Sequence, residues 1–177
     1  RDLETAEVTI QAALTGHLVL STLHTNDAPG AVTRMLDLGL PSYLISATVL
    51  GVMAQRLVRV LCPSCKKSTP ATAEDEAMWD RLVAPWKANR PSQFHQPVGC
   101  LDCRMTGYRG RVGIYEILML SPDMKQAISD NADVAEIRDL AYHEGMKPLR
   151  ISGAMKVAAG VTTLAEVFKV APPSERA

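Results

Sequence analysis

The stretch Gly16-His-Leu-Val-Leu-Ser-Thr-Leu-His-Thr-Asn26 joins a short apolar run to a cluster of polar side chains. Its three consecutive apolar residues, Leu18, Val19 and Leu20, are typical of a strand that is buried on both faces in a parallel sheet. A strand of that kind needs helices on both sides, and helical patterns precede and follow it. The stretch therefore predicts a helix-strand-helix unit of an α/β domain.

Helix signals flank this stretch on both sides. Before it, Asp2 can cap a helix and Gly16 can end that helix in the left-handed conformation. After it, Asp27 can cap a second helix that has Pro29 in its first turn and Gly39 at its end. The apolar residues that recur at helical spacing in the two segments are Leu3, Ala6, Ile10, Ala13, Val32, Met35 and Leu36.

The polar end of the stretch is a candidate ligand site. In open α/β sheets the ligand lies beyond the carboxyl ends of the strands, so we expect Ser21, Thr22, His24 and Thr25 to meet phosphate or water there. The alternative is that these hydroxyls only cap the next helix, and that His17 and His24 are structural histidines. Residue spacing alone does not separate the two interpretations.

Composition excludes several classes of protein. The 177 residues are 47% hydrophobic and carry 19 basic and 19 acidic side chains. This balance argues against a protein that binds nucleic acid or a membrane surface, which would usually show a basic excess. No apolar run approaches the roughly 20 residues of a membrane span, and no signal-peptide pattern opens the chain. We therefore expect a cytoplasmic globular protein.

The middle of the chain is predicted to contain a hairpin with a long excursion. Residues 43–50 form a third helix that is apolar on most sides and is expected to be interior. From Gly51 a helix is expected to give way near Gln55 to a strand that runs to Leu61. The segment Arg111 to Leu118 alternates as a half-buried strand and could pair antiparallel with it.

The excursion contains all four cysteines, arranged as two Cys-x-x-Cys pairs. Cys62 and Cys65 form the first pair, and Cys100 and Cys103 form the second. Two such pairs can complete a closed, tetrahedral zinc site. Two disulfides or a redox dithiol are the alternatives, but nothing else indicates an oxidising compartment. His95 could replace a ligand, although four cysteines leave no vacancy.

Short helices are predicted in the rest of the chain. One is expected at Glu74 to Val83, with Trp79 and Leu82 on a common face, followed by a polar loop through Pro97. Four more are expected after the second strand, as a small helical subdomain with a disordered tail from Pro172 to Ala177. Their predicted starts and stops are Ser121-Pro122, Asp133 with Glu136, Gly145, Pro148, Gly160, and Thr163 with Glu166.

Several catalytic motifs are absent from the sequence. No Gly-Lys dipeptide occurs, which excludes a phosphate-binding Gly-x-x-x-x-Gly-Lys-Ser/Thr loop within these residues. There is also no His-Glu-x-x-His, Gly-x-Ser-x-Gly or Gly-x-Gly-x-x-Gly sequence. The chain by itself is therefore expected to be inactive.

Three segments nevertheless resemble one family of enzymes, the type II secretion and type IV pilus assembly ATPases. The resemblance covers nearly the whole chain except the spacer between the cysteine pairs, and Arg1-Asp2 is similar to the tail of the family's Walker B segment. We therefore expect a C-terminal fragment that starts just after the Walker B glutamate. The segments are Leu14-Thr15-Gly16-His17 through His24-Thr25-Asn26, similar to the His box; Ala54-Gln55-Arg56-Leu57-Val58-Arg59 with Cys62, similar to the tetracysteine region; and Gly107-Tyr108-Arg109-Gly110-Arg111 through Tyr115-Glu116, similar to the strand after it.

The resemblance implies a fold and a nucleotide site. The fold would be the C-terminal part of a RecA-like α/β core at residues 1–61, a tetracysteine zinc-binding insertion at 62–103, a returning strand at 104–120 and a helical subdomain at 121–177. Full-length members use ATP and Mg²⁺. By resemblance, His24 would face the γ-phosphate with His17 in support, and Gln55 and Arg56 would lie near the nucleotide.

The resemblance also implies an assembly and a cellular role. By this resemblance, the full-length protein would form a homohexamer in the cytoplasm, peripheral to the bacterial inner membrane. Its partners would be the platform and anchoring proteins of that membrane. It would not bind nucleic acid and would not span the membrane. Hydrolysis would power type II secretion through pseudopilus assembly. The sequence of residues 51–59 favours this role over pilus assembly. The alternatives are a type IV pilus extension ATPase or, for these residues alone, a non-catalytic zinc-bearing interaction module.

Overall fold

The computed structural model describes residues 2–172, so the expectations for Arg1 and for the tail at 173–177 lie outside the described residues. Helices and strands alternate irregularly along the chain, with a short 3₁₀ turn at Leu101–Cys103. The elements are α1 (Leu3–Leu14), α2 (Ala28–Asp37), α3 (Ser42–Thr48), β1 (Gly51–Leu61), β2 (Lys67–Pro70), α4 (Ala73–Val83), β3 (Gln93–Gln96), β4 (Tyr108–Met119), α5 (Pro122–Ser129), α6 (Val134–His143), α7 (Leu149–Ala158) and α8 (Leu164–Val170).

The described residues fall into two compact units. Unit 1 contains residues 2–54 and 116–147, and unit 2 contains residues 55–115 and 148–172. Helices α5 and α6 therefore belong to unit 1, whereas α7 and α8 belong to unit 2. The four helices expected to form one subdomain are thus shared between the two compact units. The domain boundaries given by the resemblance stay a prediction.

Unit 1 is built around one apolar core. The predicted caps are confirmed: the Asp2 carboxylate accepts from the Thr5 N–H at 2.8 Å, and the Asp27 carboxylate accepts from the Gly30 N–H at 2.8 Å. These caps satisfy N–H groups that a helix start otherwise leaves without partners. The buried core residues are Ile10, Ala28, Val32, Leu40, Ile45, Leu118, Leu120, Met124, Ile128, Ile137, Ala141 and Met146.

The predicted strand at Leu18 to Leu20 is wrong for this structure. Residues 17–25 have no regular secondary structure, and the side chains of Leu18 and Leu20 are 76% and 89% exposed. Within residues 2–172 the strands pair only as β1 with β4 and β2 with β3. The segment therefore has no neighbouring strand, and an unpaired strand leaves its backbone groups without ladder hydrogen bonds.

Two smaller expectations also need correction. In α3 Ile45 is buried, but Tyr43 is 65% exposed, so this helix is not interior on most sides. Strand β1 begins at Gly51 rather than near Gln55. Its pairing with β4 is antiparallel as predicted, because the Leu120 N–H donates to the Leu50 carbonyl at one end and the Cys62 N–H donates to the Gly107 carbonyl at the other.

In unit 2 a buried carboxylate joins α8 to β1 and β4. Glu166 is only 6% exposed, and its Oε1 lies 2.6 Å from Nη2 of Arg59. The Arg59 guanidinium lies 4.0 Å from the centre of the Tyr108 ring, and the Tyr108 hydroxyl lies 3.1 Å from Oγ1 of Thr163. Thr163 caps α8 as predicted, but the Glu166 carboxylate turns to Arg59 instead of back to the cap.

The ion pair predicts a pH-dependent contribution to stability. The hydrogen bond from Arg59 lowers the pKa of Glu166, so its stabilising effect is present above the ordinary glutamate pKa and is lost as pH falls through the lowered value. Because Arg59 is about half exposed, we expect Glu166→Gln to reduce the free energy of unfolding by only about 1–2 kcal/mol near neutral pH. Urea unfolding should show this difference, and it should shrink in acid.

Glu74→Gln is the matched control for this experiment, since Glu74 is an exposed carboxylate of the same unit. The control should unfold like the parent chain. Equal stability of Glu166→Gln and the parent near neutral pH would show that the ion pair does not stabilise unit 2.

Candidate functional site

The β1–β4 pair brings the two cysteine pairs together. Cys62 follows the last residue of β1, and a tight turn returns Cys65 toward it, with the Lys66 N–H donating to the Cys62 carbonyl at 3.0 Å. Cys100 and Cys103 lie on the 3₁₀ turn that precedes β4. Because β1 and β4 are hydrogen-bonded neighbours, two local turns placed at their adjoining ends face each other.

The four sulfurs have the spacing of a tetrahedral metal site. All four Sγ atoms lie within 4.8 Å of one another. The Sγ atoms of Cys62 and Cys100 are 3.9 Å apart, as are those of Cys65 and Cys103, and those of Cys100 and Cys103 are 3.8 Å apart. A tetrahedron with metal–sulfur bonds of about 2.3 Å has sulfur–sulfur edges of about 3.8 Å. The cluster can therefore hold one metal ion.

Backbone N–H groups surround the sulfurs. The Gly99 N–H donates to Cys65 Sγ at 3.3 Å, and the Cys100 and Gly107 N–H groups each donate to Cys103 Sγ at 3.2 Å. Burial favours the neutral Cys103 thiol, but the Cys100 and Gly107 amides, together with the sulfurs of Cys100 and Cys65, outweigh it and lower the pKa of Cys103 to about 6. Such outer contacts orient metal ligands and stabilise negative charge on sulfur.

The pKa of Cys100 is shifted in the opposite direction. A backbone N–H from Cys103 favours its thiolate, but burial and the neighbouring sulfurs together raise the pKa of Cys100 to about 11. A bound divalent cation would supply the charge that four thiolates need.

Two glycines permit the close turns around the sulfurs. Gly99 has a φ of +108°, and a Cβ there would lie 2.8 Å from the carbonyl oxygen of Met105. Gly107 has a φ of +76°, and a Cβ there would lie 2.4 Å from Cβ of Pro97. Any side chain at either position would displace backbone that carries a donor to sulfur, so both positions require glycine.

His95 is not part of the cysteine cluster. Its ring lies against Gly160, where a Cβ would come within 2.7 Å of Nδ1, and that nitrogen is buried without a hydrogen-bond partner among the described residues. Lys66 reaches the same turn, since its Nζ donates to the Gly160 carbonyl at 2.8 Å. The Leu61 N–H donates to the Val161 carbonyl at 2.8 Å. The first cysteine pair is thus hydrogen-bonded to the turn between α7 and α8.

The predicted nucleotide-facing histidines both lie in unit 1. His17 is exposed, and its Nδ1 lies 3.1 Å from Oγ1 of Thr15 and 3.3 Å from the Ala12 carbonyl. His24 is exposed on the irregular segment before α2. A cleft of about 430 Å³ in this unit has mostly apolar walls; its polar lining includes His17, Ser21, Thr22 and Thr25. Most of the predicted polar set therefore borders one cleft.

Gln55 and Arg56 belong to unit 2. Gln55 is exposed and Arg56 is half-buried on β1, and Nη1 of Arg56 donates to the Gln55 carbonyl at 3.1 Å. The four residues expected near a nucleotide are thus divided between the two units. Their roles stay predictions.

A buried carboxylate was not singled out from the sequence. Glu116 is 4% exposed, and its Oε1 accepts from the Ala28 N–H at 2.9 Å, at the first turn of α2. Asp27 beside it pairs with Nη2 of Arg138 at 2.8 Å. A carboxylate near a helix start is favoured by the dipole of the helix. The sequence indicates that Glu116 is buried, because the alternation of β4 places it on the same face as the buried Ile114 and Leu118.

Comparisons with known proteins agree on one family. A family model described as "Type II/IV secretion system protein" matches residues 1–169. The chain is 51% identical over 172 residues to a type IV pilus assembly ATPase, TfpB, of Acinetobacter baylyi, covering 97% of this chain and 29% of that protein. It is 48% identical over 170 residues to the type II secretion system protein E of Pseudomonas aeruginosa, covering 96% and 33% respectively.

A solved structure has a similar fold. The crystal structure of the pilus retraction motor PilT with bound ADP matches with a TM-score of 0.63 at 22% identity, over 100% of this chain and 39% of that one. This likeness confirms the predicted α/β fold, here with clustered cysteines and helices toward the C-terminal end. The chain spans about a third of the length of the relatives it matches. None of the helices within residues 2–172 has the length and apolar character needed to cross a membrane.

Proposed function

Because the chain belongs to the Type II/IV secretion system protein family, we propose that the full-length protein is an ATPase that powers type II secretion through pseudopilus assembly. The family match over residues 1–169 is the observation that carries this proposal. Another relative, the type II secretion system ATPase E of Vibrio cholerae, is 43% identical over 174 residues. ATP and Mg²⁺ are the cofactors that such a reaction requires.

Type IV pilus extension is the second candidate function. It is favoured by the 51% identity to TfpB, a type IV pilus assembly ATPase. Both functions use the same hydrolysis reaction and differ in the machine that the enzyme serves.

We assign the nucleotide-facing roles to the residues that match the family's motifs. In this assignment His24 contacts the γ-phosphate of ATP. His17, which is hydrogen-bonded to Thr15, supports His24 in that role. Gln55 and Arg56 lie near the nucleotide. The cleft lined by His17, Ser21 and Thr22 supports the role of His17, since hydroxyl and imidazole groups at a cleft can donate hydrogen bonds to phosphate oxygens. His24, Gln55 and Arg56 are not among the residues that line this cleft, and their roles rest on the match to the family's motifs.

The ion held by the four cysteines is proposed to be zinc. Four thiolates at tetrahedral spacing suit zinc, and a site without an open position is structural. Zinc would close the loops at Cys62–Cys65 and Cys100–Cys103 and supply folding free energy instead of chemistry. The region 62–103 is then a metal-stabilised insertion of the ATPase.

The assembly follows from the same family assignment. The full-length protein is proposed to form a homohexamer in the cytoplasm, peripheral at the inner membrane, and to act on the platform and anchoring proteins of the secretion or pilus machine. These 177 residues alone would then be a zinc-bearing module without catalysis.

Steady-state hydrolysis assays test this proposal. We expect full-length protein to hydrolyse ATP in the presence of Mg²⁺, and the isolated chain to neither bind ATP tightly nor turn it over. Phosphoryl-transfer catalysis depends mainly on positioned phosphates and Mg²⁺, and the phosphate-binding loop is absent from these residues. Turnover by the isolated chain that survives further purification would contradict the second expectation, and an inactive full-length protein would contradict the proposed function.

A further inference from the structure

The loop that carries the second cysteine pair presents apolar side chains to solvent. Val98, Leu101 and Met105 are 52%, 90% and 67% exposed. Large apolar residues are usually buried, and several of them together on a surface mark an interaction site. Three within residues 98–105 therefore form a candidate interaction surface.

Arginines without an ion-pair partner among residues 2–172 follow these apolar residues closely in the sequence. Arg104 lies between Leu101 and Met105, and Arg109 and Arg111 follow at alternate positions of β4, all of them exposed. None of the three has an ion-pair partner within residues 2–172, whereas Arg59, Arg90 and Arg138 are paired with carboxylates. We call the six residues Val98, Leu101, Arg104, Met105, Arg109 and Arg111 the knuckle patch.

The backbone of the knuckle patch is held firmly. The Met105 N–H donates to the Cys100 carbonyl at 2.8 Å, and the Arg104 N–H donates to the Leu101 carbonyl at 3.1 Å. Arg104 and Met105 both take positive φ angles, of 53° and 62°, which turn the loop tightly around the sulfurs. A rigid surface loses little conformational entropy on binding, so this loop is suited to recognition.

We propose that the knuckle patch is a docking site for an acidic, apolar segment of another protein. Apolar side chains of the partner would cover Leu101 and Met105, and its carboxylates would pair with Arg104, Arg109 and Arg111. This charge complementarity identifies the partner's chemistry, because the patch has three cations without ion-pair partners and Asp102 is the only carboxylate within residues 98–111. The inference is independent of ATP hydrolysis.

A protein partner fits the knuckle patch better than a membrane does. Methionine and arginine are enriched in protein–protein interfaces. Membrane-surface elements instead combine lysine or arginine with tryptophan, phenylalanine or leucine. The knuckle patch contains no aromatic residue, and Asp102 next to Leu101 would face anionic headgroups.

Selection from a display library of random dodecapeptides on the immobilised chain tests the proposal. Counter-selection uses Leu101→Ser/Arg104→Ser, and the second variant is Arg109→Glu/Arg111→Glu, which leaves the cysteine loop unchanged. We expect the enriched peptides to combine Asp or Glu with Leu, Ile or Phe. Fluorescence anisotropy with the most enriched peptide should show about tenfold or greater weakening in both variants.

The matched controls are Met155→Ser and Lys87→Glu, an exposed apolar residue and an exposed cation elsewhere in unit 2. Both should bind the peptide like the parent chain, and every variant is first checked for bound metal and an unchanged melting temperature. Peptides without acidic residues, or equal binding by the second variant and the parent, would overturn the proposal. Binding of phosphatidylglycerol vesicles that displaces the peptide would assign the patch to a membrane. Self-association abolished by the second variant would assign it to a second copy of the chain.

Discussion

Chain purified without chelator is expected to contain close to one zinc ion, and Cys103→Ser is expected to lose it and to loosen the region 62–103. The apparent binding free energy of a structural zinc site is about 10–16 kcal/mol near neutral pH, and that energy is available only to the folded form. The region 62–103 cannot replace it, since its buried residues other than the ligands are few: Trp79, Leu82, Val83 and Phe94. Small modules with so little apolar core usually need a metal or disulfides.

Elemental analysis measures the metal, and hydrogen exchange measures where the structure loosens. In Cys103→Ser we expect faster exchange at residues 62–103 and at the turn after α7, because Lys66 and Leu61 are hydrogen-bonded to that turn. Amides of unit 1 should exchange as in the parent chain. Ser64→Ala, an exposed non-ligand position of the first pair, is the control and should keep the metal. Metal-free chain with two disulfides and unchanged protease resistance would require the zinc assignment to be withdrawn.

In the full-length protein, His24→Ala is expected to reduce ATP hydrolysis by about 100-fold, because one positioned hydrogen-bond donor at a transferring group commonly contributes that much. The melting temperature should not change, since His24 is exposed and lies outside every helix and strand. Hydrolysis rates and thermal unfolding of the same preparation separate a catalytic role from a structural one.

His143→Ala is the control for this experiment, because His143 is an exposed histidine in the last turn of α6. It should retain the parent rate. His17→Ala should have a smaller effect than His24→Ala if His17 acts in support. A His24 variant that keeps its full rate, or one that melts far below the parent, would favour the alternative in which these histidines are structural.

Features that depend on residues close together in the sequence were predicted correctly. The caps at Asp2, Asp27 and Asp133 need only a side-chain oxygen within three residues of a free N–H, and all three form. The glycine stops at Gly39 and Gly145 also follow from local sequence, because each takes a positive φ. The cysteine cluster was predictable for a related reason, since each pair is local and an antiparallel pair of strands brings the two pairs together.

Features that depend on distant partners were predicted less well. Leu18 to Leu20 has the composition of a buried strand, but strand formation requires a neighbour, which residues 2–172 do not supply. Conversely, β2 and β3 are short and polar and gave no strand pattern. They form because Thr69 pairs with Phe94, whose ring packs 6.1 Å from that of Trp79.

The division of the C-terminal helices illustrates the same limit. The sequence predicts where α5, α6, α7 and α8 begin, but the apolar pattern of a helix does not specify which element it packs against. Helix α5 packs on α3, and α7 packs on α4 and α8. The close approach of Gly153 to Val167, where a Cβ would lie 2.4 Å from Cγ1, is visible only in the structure.

Replacement of the native gene by one that encodes full-length His24→Ala tests the proposed function most directly. The measurement compares proteins released into the medium with proteins retained in the periplasm, and it counts surface pili in the same culture. We predict that secreted proteins accumulate in the periplasm while the variant protein is present at its normal level. Loss of pili with normal secretion would instead assign the enzyme to pilus extension. Unchanged secretion and unchanged piliation would contradict the proposal that this protein powers either machine.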